Sequence, residues 1–351
     1  MKTIMMFDSE TQHYRQSIYS YFIKEFSKIG YRLIIIYDKK LNSIVKDSYI
    51  GIDYRFSNFI KILRQYNCKI IISFVWLRYK FLIPFLIYCR VKKLKVIVWS
   101  HGINLQNKKQ PIKNQLYYLR QRLANALILF SKEQLKYIVT SKKKVFIANN
   151  TLNFNEFPIV ELSKEKLKQK YGFQEKNIIL CVARMNTNNR KPEQMINLAK
   201  RLDLNTHILL IGPALNKLCI NDIEHIQNIH YYGAIYDQKI VNEHYKMADV
   251  FVMPGAIGLA INHAFYFHTP CIVEKIEQGP EAFYLREGIN GYYYKPNDVG
   301  DLYDKLTKVL DKNNYSLFCQ NAIETIMREG SIENMFRGFI DAVNFVEERY
   351  T

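Results

Sequence analysis

Long apolar runs are missing from this chain of 351 residues: the longest, Phe81 to Cys89, falls well short of the roughly 18 residues that a membrane-spanning helix needs. The N-terminus lacks the continuous apolar core and cleavage site of a signal peptide, so the sequence predicts a cytoplasmic protein. Cysteine is sparse and scattered. Cys68, Cys89, Cys181, Cys219, Cys271 and Cys319 form no CxxC pair, which disfavours a zinc site or a disulfide framework and predicts buried, reduced thiols. Internal repeats and low-complexity tracts are absent, as are helix-turn-helix, zinc and aromatic RNA-binding signatures, so no nucleic-acid partner is expected. Acidic residues are scarce in one half only. Residues 1–150 hold 28 Lys and Arg against 7 Asp and Glu, whereas the remainder holds 22 against 25. The net charge of +18 therefore sits at the front, which favours an anionic partner there; charge alone does not choose among phospholipid, a phosphorylated substrate and nucleic acid, and the missing signatures set the last aside.

What is present is ample core material: 48% apolar and 14% aromatic side chains, over a length that suggests two domains. Lys2 to Phe7 reads as a strand, and Ile18, Tyr21, Phe22, Phe26 and Ile29 recur at helical spacing. Gly30 then reads as a C-cap, and Leu33 to Tyr37 as a second strand. The theme returns at Ile70 to Phe74, Val96 to Ser100, Leu127 to Phe130 and Val145 to Ala148, with a helix expected over Ser131 to Thr140 and a capping box between Ser131 and Gln134. The charged segment Phe154 to Gln174 breaks the rhythm. Strands resume at Ile178 to Ala183, Ile208 to Ile211, Ile229 to Tyr232, Val250 to Met253, Cys271 to Glu274 and Tyr292 to Tyr294, and three helical stretches close the chain. Nearly continuous apolar strands alternating with helices predict parallel sheets covered on both faces.

Ligands in such sheets bind beyond the carboxyl ends of strands. Three segments fit. In WSHGIN, His101 follows a strand directly, placed to donate to a hydroxyl or a developing charge; a solvated loop histidine is the other reading. In ARMNTNNRKPEQ, Arg184 follows a strand, and Arg190 and Lys191 precede a helix opening at Pro192. Cations converging there would neutralise a pyrophosphate, and a solvated basic loop is the rival. In MPGAIGLAINHAF, Gly255 turns the chain and Gly258 permits close approach near a helix start, where N–H groups would cradle phosphate or sugar oxygens. His263 lies inside that helix, a position more often packed than functional. Glu281, beyond the next strand, is either a site carboxylate or a surface charge.

In order along the chain, VIVWSHG, LFSKEQL, VFIANNTLN, ILCVARMNTNNRKPEQ, ILLIG, IHYYGAIYDQKIVNEHYKMADVFVMPG, GLAINHAFYFHTPCIV and GPEAFYLREGINGYYY resemble the GT-B glycosyltransferases of family four. These enzymes move a sugar from a nucleotide donor with retention of configuration. The resemblance implies an α/β fold of two Rossmann-like, doubly wound parallel-sheet domains facing a cleft. It divides the chain into an acceptor-binding domain over 1–155, a nucleotide-sugar-binding domain over 156–330 and a C-terminal helix over 331–351 crossing back to the first. His101 corresponds to the histidine beside the donor sugar, and Arg184 and Lys191 to the diphosphate-binding pair. Gly258 and Leu259 match the glycine-leucine facing that diphosphate, and Glu281 matches a glutamate of the following loop.

Two departures stand out. Where the family carries two glutamates eight positions apart, this chain has Gly255 and His263; and FDSETQHYR replaces the amino-terminal glycine-rich loop. The resemblance then implies altered donor handling, with His263 able to donate to a ribose hydroxyl or phosphate. The expected function is hexosyl transfer from a nucleotide sugar to a free or lipid-linked glycan in bacterial O-antigen or capsule synthesis. Neither a cofactor nor a metal is expected, because Arg and Lys meet the diphosphate charge. An undecaprenyl-diphosphate-linked acceptor and an anionic membrane surface would suit the basic half, on the inner face of the plasma membrane. The alternative is a catalytically inactive GT-B scaffold in a polysaccharide assembly complex.

Overall fold

The computed structural model describes residues 1–104, 111–185 and 190–349. They form two compact units, one made of Met1–Asn153 with Ile332–Thr351 and the other of Phe154–Ser331. In the first unit the chain runs β1 (Lys2–Asp8), α1 (His13–Lys28), β2 (Tyr31–Asp38), β3 (Tyr49–Ile52), α2 (Phe56–Gln65), β4 (Ile70–Phe74), α3 (Leu82–Val91), β5 (Lys95–Trp99), α4 (Pro111–Leu123), β6 (Ala126–Leu129) and β7 (Val145–Ile147). The sheet order is β3-β2-β1-β4-β5-β6-β7, every pairing parallel. Its strands are apolar nearly throughout because both faces are covered. Alternate residues divide accordingly: Ile4 and Met6 enter one core with Phe22 and Phe26 of α1, while Met5 and Phe7 enter the other with Phe59 of α2 and Phe85 of α3. The apolar run of α3 is shared out in the same way. Leu82, Phe85, Leu86 and Cys89 are buried, whereas Ile87 and Val91 remain exposed.

The second unit runs α5 (Lys164–Lys170), β8 (Asn177–Val182), α6 (Pro192–Ala199), β9 (Thr206–Ile211), α7 (Lys217–Glu224), β10 (Ile229–Tyr231), α8 (Gln238–Met247), β11 (Val250–Met253), α9 (Ala260–Tyr266), β12 (Cys271–Glu274), β13 (Gly291–Tyr294), α10 (Val299–Val309) and α11 (Lys312–Glu329). Its sheet, β10-β9-β8-β11-β12-β13, is again wholly parallel. Both sheets reverse direction of growth next to the first strand of the unit, β1 or β8, which is the position where doubly wound sheets open a crevice.

The last helix, α12 (Ile332–Arg349), belongs to the first unit, where Met335, Phe339, Ala342, Val343 and Val346 join the core of β1, β5 and α1. A Cβ at Gly338 would come within 2.3 Å of the Ile147 carbonyl oxygen, so glycine lets the helix lie directly on β7. Lys2 and Tyr31 both bind the Glu347 carboxylate, fastening the far end of the helix.

Two local expectations are corrected. The helix expected over Ser131 to Thr140 is a 3-10 turn over Lys132–Tyr137, and Ser131 makes no side-chain cap. Gln134 accepts instead from the Phe130 N–H at 2.9 Å, one residue upstream of where a capping box would bond. The edge strand β3 and helix α2 lie in sequence left unassigned above; β3 is four half-buried residues with no alternation to reveal it.

Candidate active site

In the second unit the loop after β8 is pinned to the loop after β11. Arg190 and Gly255 form an antiparallel bridge, and the Lys191 N–H donates to the Pro254 carbonyl at 2.9 Å. Gly255 has φ +123°, a conformation that glycine adopts without strain. Gln278 clamps the same loop. Its Nε2 donates to the Gly255 carbonyl (3.1 Å) and the Glu274 carbonyl (2.7 Å), and its Oε1 accepts from the Ile257 N–H (2.7 Å). Among the described residues an added Cβ at Gly258 would meet only Arg190 Nη2, at 3.9 Å. Arg190 Nη1 is buried and unpartnered among the described residues. Burial lowers the pKa of that guanidinium from its ordinary value, with Cys181 and the buried Glu281 acting the other way. Leu259 caps α9 as a half-buried residue.

The sequence-predicted cations differ in state. Arg184 is exposed, and among the described residues no hydrogen bond or ion pair fixes it. Lys191, at the N-cap of α6 with Pro192 in the first turn, already has a counter-charge. Its Nζ lies 2.7 Å from Glu274 Oε1 and 2.7 Å from Asn297 Oδ1. Glu274 is fully buried at the end of β12, and its Oε1 also accepts from Asn297 N (2.7 Å) and Gln194 Nε2 (3.2 Å). No sequence motif marks Glu274, Gln278 or Gln194. An acid closing an otherwise apolar, buried strand was the signal available for the first of them.

His263, expected to donate to a ligand, is engaged within the fold. Its Nε2 is 2.8 Å from Asn242 Oδ1, and its ring stacks on Tyr245 at 3.9 Å with Phe157 at 4.7 Å. Only 7% exposed, it is a core histidine whose burial pushes the imidazole down to about 3. The segment between Gly255 and His263 therefore has neither of the carboxylates that the resemblance would place there.

In the first unit His101 stacks on Phe130 with ring centres 4.3 Å apart, and its Nδ1 lies 2.8 Å from Gln134 Nε2. The Phe130 N–H fixes Gln134 Oε1 as an acceptor, so Nε2 donates and Nδ1 of His101 accepts. The proton of the neutral ring is thus on Nε2, leaving a donor on a residue that lines a cavity. Burial, then the charges of Arg15 and Arg120, push His101 down to about 4. Gln121 holds the following turn, donating to the Gly102 and Tyr137 carbonyls at 2.8 and 3.0 Å. The FDSETQHYR segment supplies a buried network: Arg15 pairs with Asp8 at 3.2 Å, Tyr19 donates to Asp8 at 2.6 Å, and the guanidinium covers Phe74 at 4.2 Å.

These two histidines give a pH dependence of stability. In the unfolded chain each takes up a proton near 6.5, whereas in the fold neither does so until about 4 or 3. The unfolded state binds more protons in that window, so stability is expected to fall as pH drops from about 6.5 towards 4. Melting temperature measured against pH should show this slope, and His263→Gln should flatten it between 6.5 and 5; an unchanged slope would place the titration elsewhere.

Residues 163–325 match the family model described as glycosyl transferases group 1. A search of curated protein sequences finds no significant match. Among solved structures the chain is similar to Anabaena HepE in complex with UDP, with TM-score 0.80, 13% identity and coverage of 98% of this chain and 100% of that one. HepE with UDP-glucose gives 0.74 at 13% identity and the same coverage. The apo lipopolysaccharide outer core galactosyltransferase WaaB gives 0.72 at 16%, covering 98% and 99%. At these identities the likeness establishes the fold. Among the described residues no group of three or more His, Cys, Asp and Glu could hold a metal, and no helix is long and apolar enough to cross a membrane. The chain thus has the fold of these structures, and the part of it that matches the glycosyl transferases group 1 model lies within its second unit.

Proposed function

We propose that the second unit binds a nucleotide-sugar donor and that its hexosyl unit passes, with retention of configuration, to a free or lipid-linked glycan taken by the first unit, in synthesis of a surface polysaccharide such as O-antigen or capsule. The observation that carries this reading is the assembly of Arg190, Lys191, Gly255 and Gly258 by two mutually bonded loops in the part of the chain that matches the group 1 model. Exposed Arg184 and these cations meet the charge that grows on a departing diphosphate, so the reading requires neither a metal nor another cofactor. His101 acts as a neutral donor to a sugar oxygen. The UDP complexes of HepE and the lipopolysaccharide-related activity of WaaB support the donor class and the setting.

The test is binding and turnover of UDP-, GDP- and TDP-sugars by the intact chain. At least one should bind and be consumed, and Arg184→Ala should slow transfer about a hundredfold, the loss typical of one contact to a developing anion. Failure of all donors to bind would overturn the reading. Binding without turnover would favour an inactive scaffold.

Peripheral membrane contact is supported by exposed Ile87 and Val91 beside exposed Arg90, Lys92 and Lys93 at the end of α3. Each such cation contributes about 1 kcal/mol at an anionic surface. Changing Lys92, Lys93 and Lys95 to Gln should release the protein from anionic liposomes in a sedimentation assay. Equal partitioning on neutral lipid would defeat this part alone.

A further inference from the structure

A cavity of about 570 Å³ lies in the first unit beyond the carboxyl ends of β4 and β5, with α4 as its third wall. Arg120 of α4 lines it while being 4% exposed. One arm of the guanidinium, Nη2, donates to the Ser73 carbonyl at 3.0 Å and reaches the Trp99 carbonyl at 3.5 Å. Its Nε has no partner among the described residues, and none of their carboxylates pairs with it. Arg15, the other buried arginine near His101, differs in having Asp8. Glu10, the carboxylate on the cavity wall, is held 2.6 Å from Arg78, so the lining keeps one excess positive charge. A buried cation without a counter-ion is costly, and a ligand that brings the missing charge recovers that cost. The remaining wall suits a sugar. Trp76 and Tyr117 offer partly exposed aromatic faces, His101 carries a protonated Nε2, and the volume is that of a small-molecule site.

We propose that this cavity selects an acidic acceptor: a saccharide whose carboxylate or phosphate oxyanion pairs with Arg120 while its ring lies against Trp76 and Tyr117. The inference rests on the reading of the first unit as the acceptor-binding one, and adds the chemical class of what binds there. A guanidinium fork matches either oxyanion in a bidentate pair, whereas a neutral sugar leaves the charge unmet.

The two tryptophans of the chain, Trp76 and Trp99, both line the cavity, so intrinsic fluorescence of the intact protein reports its occupancy. Titrations with glucuronate, glucose 1-phosphate and glucose at constant ionic strength separate the cases. A saturable response is expected from at least one acidic sugar, with glucose about tenfold weaker or more, the loss expected when a charged hydrogen bond goes unmade. The responding arm identifies the anion as carboxylate or phosphate. Arg120→Gln should weaken the acidic sugar by a similar factor and leave glucose unchanged, and Arg120→Lys should recover only part, with circular dichroism confirming the fold. Equal response to glucose, no response to any of the three, or a folded Arg120→Gln with parental affinity would overturn the proposal. Should that variant fail to fold, the ligand series on the parent protein still decides. UDP calorimetry on the same preparation reads the second unit separately: UDP binding without an acidic-sugar response sinks this inference alone, and loss of UDP binding sinks the donor assignment alone.

Discussion

Lys191→Ala is expected to destabilise the second unit by about 3 kcal/mol and to slow sugar transfer about a hundredfold, two losses with different causes. The first arises because Glu274 is fully buried and Lys191 is the cation 2.7 Å from its carboxylate. Removing one partner of such a pair leaves an uncompensated charge in a low-dielectric interior, and the lysine side chain is still partly open to solvent, which places the cost at the lower end of the usual range. For a unit of this size that amounts to roughly 6–12 °C in Tm. The second loss is expected because Lys191 is joined through its backbone N–H to Pro254, at the start of the loop proposed to hold the diphosphate. A second substitution separates them. In Lys191→Ala with Glu274→Gln, the amide still accepts from Asn297 N and Gln194 Nε2 but carries no charge, so most of the lost stability should return while transfer stays slow. Calorimetric melting together with single-turnover rates reads both. A single variant that melts like the parent would mean that Glu274 finds its counter-charge elsewhere. A double variant that regains its rate would make Lys191 a structural residue and nothing more.

Much of the architecture was legible because buried parallel strands are written as unbroken apolar runs. Val250–Met253 and Cys271–Glu274 fall where the pattern put them, and Pro192 marked the start of α6. What failed to show was of two kinds. Short edge elements such as Tyr49–Ile52, half exposed and only four residues long, carry no periodicity to detect. Side-chain clamps carry none either. Gln134 has the spacing of a capping box with Ser131, but it takes the Phe130 N–H with one end of its amide and sets the His101 tautomer with the other. The site cations were visible as residue types in loops, yet their states were not. Glu274 neutralises Lys191 from 83 positions away, and Arg120, unremarkable within a basic stretch, is buried with no carboxylate paired to it among the described residues. His263 is the sharpest case: a motif position suggested a ligand contact, and its ring lies packed between Tyr245 and Phe157.

The final helix offers the largest effect on the first unit. Phe339 is fully buried, 5.0 Å edge-on from Trp99 and 4.8 Å from Phe22, so it ties α12 at once to β5 and to α1. Phe339→Ala removes that bridge and leaves a hole whose walls are aromatic rings already engaged with one another, Trp99 on Phe130 at 4.9 Å and on Phe74 at 4.8 Å. Such walls collapse poorly, and the cost of deleting a buried phenylalanine is about 3–5 kcal/mol. The Tm of the first unit should fall by roughly 6–20 °C. The function should feel it too, because Trp99 ends the strand that carries His101 and lines the Arg120 cavity. Trp fluorescence of the variant should therefore change before any ligand is added, whereas UDP affinity, read from the second unit by calorimetry, should stay near parental. A melting temperature within about 2 °C of the parent would mean that α12 rests on the sheet without being part of its core.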